Sequence, residues 1–174
     1  TPAFGALLLA LIDSNSKALI RQVALMVSFL GLLFSLIMVG NFDSSVGVMQ
    51  LEENHSWIES LGISYHLGVD GFSILLILLT SFTMPFVFMS TWKAVDHRVK
   101  EFHIALLLLQ TGMIGAFVAL DLVLFYLFYE AMLVPMYLII GIWGGKDRVY
   151  AALKFFIYTM VGSLFMFLAI LYLY

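Results

Sequence analysis

One carboxylate stands alone in a long uncharged part of this chain. Glu130 lies within Leu122–Trp143, LVLFYLFYEAMLVPMYLIIGIW, which carries no other charge. A helix of roughly 20 apolar residues, rising about 1.5 Å each, crosses the hydrocarbon core of a bilayer. Glu130 then sits roughly 12 Å along that helix, near the midplane. A charge at that depth costs about 2.5 kcal/mol or more, so the side chain is expected to face protein or water. Pro135 follows one turn later. It brings no N–H for the carbonyl of Ala131 and crowds the turn, which frees backbone polarity beside the acid. An acid next to a broken turn is equipped to hold or pass a proton or an ion. Helical spacing puts Tyr126 and Val134 one turn to either side and Tyr137 two turns on, so the tyrosines can donate to the carboxylate or line a wet cavity.

The second ionisable side chain inside an apolar run is Lys154, with Tyr158 one turn beyond it. A carboxyl group's hold on its proton depends on burial and on nearby ammonium groups, so a lysine moving relative to Glu130 would load or release a proton. Straight helices leave the two about 12 Å apart along the membrane normal, too far for an ion pair, so water or another helix would have to connect them. Plainer uses compete with these. Glu130 can be a neutral acid that locks helix packing, Lys154 can extend its stem to the interface, and Pro135 can be only a kink. Asp70 and Asp121 read as helix caps. His55, His66, His97 and His103 follow no ligand spacing, so no metal site is expected.

The elements that must position these groups follow from hydropathy. The chain is 63% hydrophobic and 11% charged, which excludes an ordinary soluble domain. Its mean hydropathy is +1.08. Without cysteine or a phosphate-binding glycine loop, redox chemistry is expected elsewhere. Residues 2–12 are too short an apolar run to span, so the chain reads as trimmed at its start and as part of a longer protein. A polar turn at 13–21 leads to a helix at 22–40. The segment 41–70 is polar, with Asp43, Glu52, Glu53, Glu59 and Asp70 but no Lys or Arg, and its Trp57 and Tyr65 suit a membrane interface. A third span at 71–91 precedes a basic loop at 92–103. A straight helix over 104–143 would reach roughly 60 Å, twice a bilayer core, so this run must fold into two spans with its corner at Asp121. A last helix occupies 149–174. The expected fold is an all-α, polytopic transmembrane bundle of about six spans, the first partial, forming one domain over 1–174. Seven of the eight Lys and Arg fall in alternate loops, which assigns those loops to the cytoplasm or its equivalent and the two chain ends to the outside.

The strings FYEAMLVPMYLIIGIWGG at 128–145 and RVYAALKFFIYTMVGSLF at 148–165 resemble the antiporter-like subunit M family of respiratory complex I, the proton-pumping NADH:quinone oxidoreductase. LGVDGFSILLILLTSF at 67–82 resembles the same family's entry to its third helix. The resemblance implies a subunit of roughly fourteen helices with two inverted five-helix repeats, of which this chain is an N-terminal portion. It implies that Glu130 pairs with a lysine on a seventh helix, beyond residue 174, within a hydrated chain of charges; Lys154 matches the family's KFF motif.

On that resemblance the chain is expected to translocate protons as a non-redox subunit, with Glu130 and Lys154 as the working groups and Tyr126, Pro135, Tyr137 and Tyr158 in support. No cofactor is expected in it; NADH, FMN, iron–sulfur clusters and quinone belong to other subunits. Expected partners are neighbouring antiporter-like membrane-arm subunits and lipid, not nucleic acid, in a bacterial plasma membrane or a mitochondrial inner membrane. The alternatives are a subunit of a multisubunit sodium/proton antiporter, the equivalent subunit of a photosynthetic ferredoxin-linked complex, and a structural scaffold.

Overall fold

The computed structural model describes residues 1–43, 45, 48–58 and 62–173; Glu59 and Tyr174, used above, lie outside them. Six helices run in the order expected: α1 (Pro2–Leu11), α2 (Lys17–Gly40), α3 (Gly71–Ser90), α4 (Val99–Val118), α5 (Leu122–Trp143) and α6 (Arg148–Leu173). Five of them, α2 to α6, are long and apolar enough to cross a membrane. Two strands, β1 (Gln50–Ile58) and β2 (Ile63–Val69), pair antiparallel between α2 and α3.

The caps form as the aspartates suggested. Asp70 accepts from the Ser73 amide at 2.7 Å, while the Ser73 hydroxyl receives the Asp70 amide at 2.9 Å, a reciprocal capping box. Asp121 accepts from the amides of Val123 and Leu124 at 2.8 and 3.1 Å, so α5 starts at Leu122.

Two helices start earlier than the charges suggested. α2 begins at Lys17 and takes in Arg21, both read above as turn; α4 begins at Val99 and takes in Lys100 and His103, read as loop. Long basic side chains let their backbone be helical because the charged head reaches outward. Lys17 Nζ donates to the Asp96 backbone oxygen and carboxylate at 2.6 and 2.9 Å, and Arg21 donates to the Val95 carbonyl at 2.9 Å. Lys100 donates to the carbonyls of Ala10 and Ile12 at 2.8 and 2.7 Å, satisfying backbone oxygens at the open end of α1. The Trp143 indole donates to the His97 carbonyl at 2.9 Å, bringing the end of α5 to the same place. The basic turns therefore gather at one end of the bundle, as their alternation in the sequence implied.

The acidic segment lies at the other end. The reading of it as a polar segment omitted the hairpin, whose β1 is almost wholly exposed. β2 carries the attachment: the Ser64 amide donates to the Asp121 carboxylate at 3.0 Å, and the Leu120 amide to the His66 carbonyl at 2.9 Å. Its Val69 packs with Ile74 and Ile77 of α3, against Met38 and Phe117. The larger core lies towards the basic end, where Leu9, Ile20, Ala24, Phe88 and Leu107 join α1, α2, α3 and α4.

Candidate functional site on α5 and α6

Glu130 faces α6. Antiparallel pairing of these helices is marked by ring contacts between Tyr126 and Phe167 at 4.8 Å and between Tyr137 and Phe156 at 5.5 Å. Near the basic end, the small residues Gly141 and Ala152 meet. Each pair fits one register, which sets Glu130 opposite Ser163. Ser163 is buried and donates back to the Met160 carbonyl at 2.9 Å, leaving its oxygen turned towards α5 able to accept. The Tyr126 hydroxyl interacts with both Glu130 and Ser163, so three polar groups from two helices meet at this level. Glu130 Oε1 is buried and has no hydrogen-bond partner among the described residues. Ser163 did not stand out in the sequence; a lone serine in an apolar helix was its only signal.

Pro135 is buried and borders a cavity of about 420 Å³ between α4 and α5, lined also by Gly112, Thr111, Phe128 and Ala131. The helix stays continuous through it from Leu122 to Trp143. The tight contact on this side comes from α4: a side chain at Gly112 would strike Met132, and one at Gly115 would strike the Phe128 ring. Small residues let the two backbones approach where helix association cannot draw on the hydrophobic effect.

Lys154 and Tyr158 are elsewhere. Nine residues separate Lys154 from Ser163, which at 100° per residue is half a circle, so the lysine points away from α5. It is exposed, with its Nζ 5.9 Å from the Tyr150 ring, and Tyr158 is 80% exposed on the same face. These side chains line an open apolar groove of about 780 Å³ with Leu153, Ile157 and Phe165. The register also sets Lys154 level with Ile139, about 13 Å along the axis from Glu130. Of the six predicted residues, Glu130, Tyr126 and Tyr137 share the α5–α6 interface, Pro135 faces α4, and Lys154 and Tyr158 form a separate outer face. The ion pairs Lys17–Asp96 and Arg21–Asp96 and the His66–Glu52 contact, seen among the described residues, all lie outside this site. No group of three or more His, Asp or Glu among the described residues is placed to hold a metal ion.

Comparison with known proteins agrees with this architecture. Residues 119–174 match the family described as NADH:quinone oxidoreductase/Mrp antiporter, transmembrane. The chain is 52% identical to NADH-quinone oxidoreductase subunit M of Rhodobacter capsulatus, over 93% of this chain and 30% of that protein. It is 41% identical to NADH-ubiquinone oxidoreductase chain 4 of Arabidopsis thaliana, over 98% of this chain and 34% of that one. A chain of respiratory complex I from Thermus thermophilus superposes with a TM-score of 0.82 at 29% identity, over 98% of this chain and 33% of its own. A chain of an archaeal membrane-bound sulfane sulfur reductase shares the fold, with a TM-score of 0.77 at 19% identity. The chain thus spans about a third of the length of the relatives it matches. It is an integral membrane protein, with relatives in bacteria and in a plant. By sequence and by fold, the chain belongs to the antiporter-like membrane subunits of the NADH:quinone oxidoreductase/Mrp antiporter family.

Proposed function

We propose that this chain works in the membrane arm of an NADH:quinone oxidoreductase, where it translocates protons without carrying a redox centre. The observation that carries the reading is Glu130: a carboxylate in a membrane-spanning helix, with one oxygen buried and unpaired, beside the Tyr126 hydroxyl and opposite Ser163. An intramembrane acid beside two hydroxyl groups is a place to hold a proton whose affinity changes when a neighbouring charge moves. Work is done only if the carboxyl interacts differently with two states of its surroundings, so a cation on a neighbouring helix must approach and withdraw. Lys154, on the outer face of α6, serves a different step, in which it faces a further helix across the groove it lines. NADH, FMN, iron–sulfur clusters and quinone reside in other subunits, and the partners are adjacent antiporter-like subunits and lipid.

The family description also names the Mrp antiporters, which supports a second reading: cation/proton exchange without electron transfer. The test is quinone-dependent proton pumping by the complete complex in sealed vesicles, comparing wild type with Glu130→Gln at equal assembly. Gln keeps the shape and removes the titratable charge. Loss of pumping together with coupled turnover is expected. Unchanged pumping would make the acid structural, and a wild-type gradient driven by sodium without any electron donor would favour the antiporter.

A further inference from the structure

The face of α4 turned away from α5 is deeply buried, and it is polar. His103 and Gln110 are both at 0% exposure and stand two turns apart on one face. Across from them, α2 buries Ala24, Ser28, Gly31 and Ser35 on a single face. A side-chain position at Gly31 would lie 3.8 Å from Gln110 Nε2 and 3.8 Å from Thr1 Oγ1, so the carboxamide and the Thr1 hydroxyl both border the small residues of α2. Arg21, at the basic end of the same seam, is close enough to His103 for the two to interact electrostatically.

Four atoms along this seam are buried without a hydrogen-bond partner among the described residues: Arg21 Nε, His103 Nε2, Gln110 Nε2 and Gln110 Oε1. Apart from the Thr1 hydroxyl, which borders the same space, their neighbours are already committed. His103 Nδ1 lies 2.7 Å from the Val99 carbonyl, and the Ser28 and Ser35 hydroxyls donate back to Leu25 and Leu32 at 2.7 and 2.8 Å. Those serine oxygens retain acceptor capacity, and a glutamine needs both donors and acceptors to be answered. Within a membrane no bulk solvent can answer them, and an unanswered carboxamide is costly there. A bound water, which takes two to four polar partners, meets the need where a glycine leaves space.

We propose that the α2–α4 seam binds internal water, centred on the Gln110 carboxamide opposite Gly31 and extending to His103 Nε2 and Arg21 Nε towards the basic end. The site is separate from Glu130, because Gly112 and Gly115 press the other side of α4 against α5. The water holds α2 and α4 together through polar groups that cannot reach each other directly.

The test uses the assembled complex. High-resolution cryo-electron microscopy is expected to show ordered density between the Gln110 amide and α2. Radiolytic hydroxyl-radical labelling, which marks residues beside bound water, is expected to modify His103 despite its burial, and Gly31→Val, whose methyl groups occupy the water position beside Gln110, is expected to remove the density there. In Gln110→Leu the melting temperature is expected to fall or stay level. Absence of density in the wild type, no labelling of His103, density beside Gln110 unchanged in Gly31→Val, or a higher melting temperature for Gln110→Leu would each overturn the proposal. Should Gly31→Val fail to assemble, the wild-type density and Gln110→Leu decide the matter.

Discussion

The bundle of α1 to α4 and the pair α5–α6 are built from similar apolar residues and behave differently. In α4, 44% of the most apolar window is buried within the chain, against 17% in α5 and 11% in α6. α4 is the axis of its bundle, touched by α1, α2, α3 and α5, and its polar side chains face inward. Among the described residues, α6 packs closely against α5 alone, and it leaves Tyr150, Ile157, Tyr158, Phe165 and Leu168 exposed. Polarity buried in a covered bundle, such as His103 and Gln110, is closed to anything outside the chain. Polarity on a helix pair with an open flank can respond to what covers that flank, so the proposed chemistry belongs on α5–α6.

The largest effect expected from this contrast is functional. Glu130→Gln should lower proton pumping by roughly tenfold or more with normal assembly, as loss of a proton-transfer group does. Lys154→Met should reduce pumping less, because its side chain is exposed and about 13 Å from Glu130 along the helix axis. An equal loss in the two variants would break the distinction between the inner and outer faces of α6.

Stability should divide the regions in the opposite sense. Gly115→Val forces a side chain into the Phe128 ring and should cost about 1–3 kcal/mol, read as a lower melting temperature or yield of complex. Gly162→Val on α6 meets nothing within 4 Å and should be close to neutral in this chain, so a large loss there would place a close-packed neighbour on that face. At the corner between the regions, Asp121→Ala removes the α5 cap and the Ser64 contact and is expected to cost about 1–2 kcal/mol; Asp121→Asn is expected to keep the cap through its one carbonyl oxygen and to lose the Ser64 contact.

The smallest effect is electrostatic and lies at the basic end. The Lys17 ammonium, bonded to Asp96 and next to its charge, holds that carboxyl below its ordinary value of 3.8. A depressed carboxylate contributes stability above 3.8 that is lost as pH falls from there through the lower folded value. Asp96→Asn should therefore flatten the acid limb of the melting curve only slightly, since the pair is exposed and salt-screened. A change confined to neutral pH would contradict this.

Much of this was legible in the chain because a membrane imposes its own periods. Backbone groups in lipid must bond within their own helix, so a run of about 20 apolar residues is already a structural statement. Asp121 could be recognised as a corner by length alone, and Asp70 as a cap by position. The same logic misplaced the starts of α2 and α4, because lysine and arginine were read as loop when their stems lie along helices. It also passed over the hairpin, since β1 is exposed and carries no alternation of apolar and polar residues to mark a strand.

What the amino-acid order determined by itself was depth: which residues lie near the midplane, which near each surface, and which loops share a side. Those quantities depend only on rise per residue and transfer from water, both local properties. Azimuth was decided by tertiary structure. Glu130 turning towards Ser163, Lys154 turning away, and Gln110 facing Gly31 rather than α5 follow from which helices pack together. In lipid that choice rests largely on small residues and close fit rather than on apolarity, because most of the surface of these helices is apolar enough for the membrane.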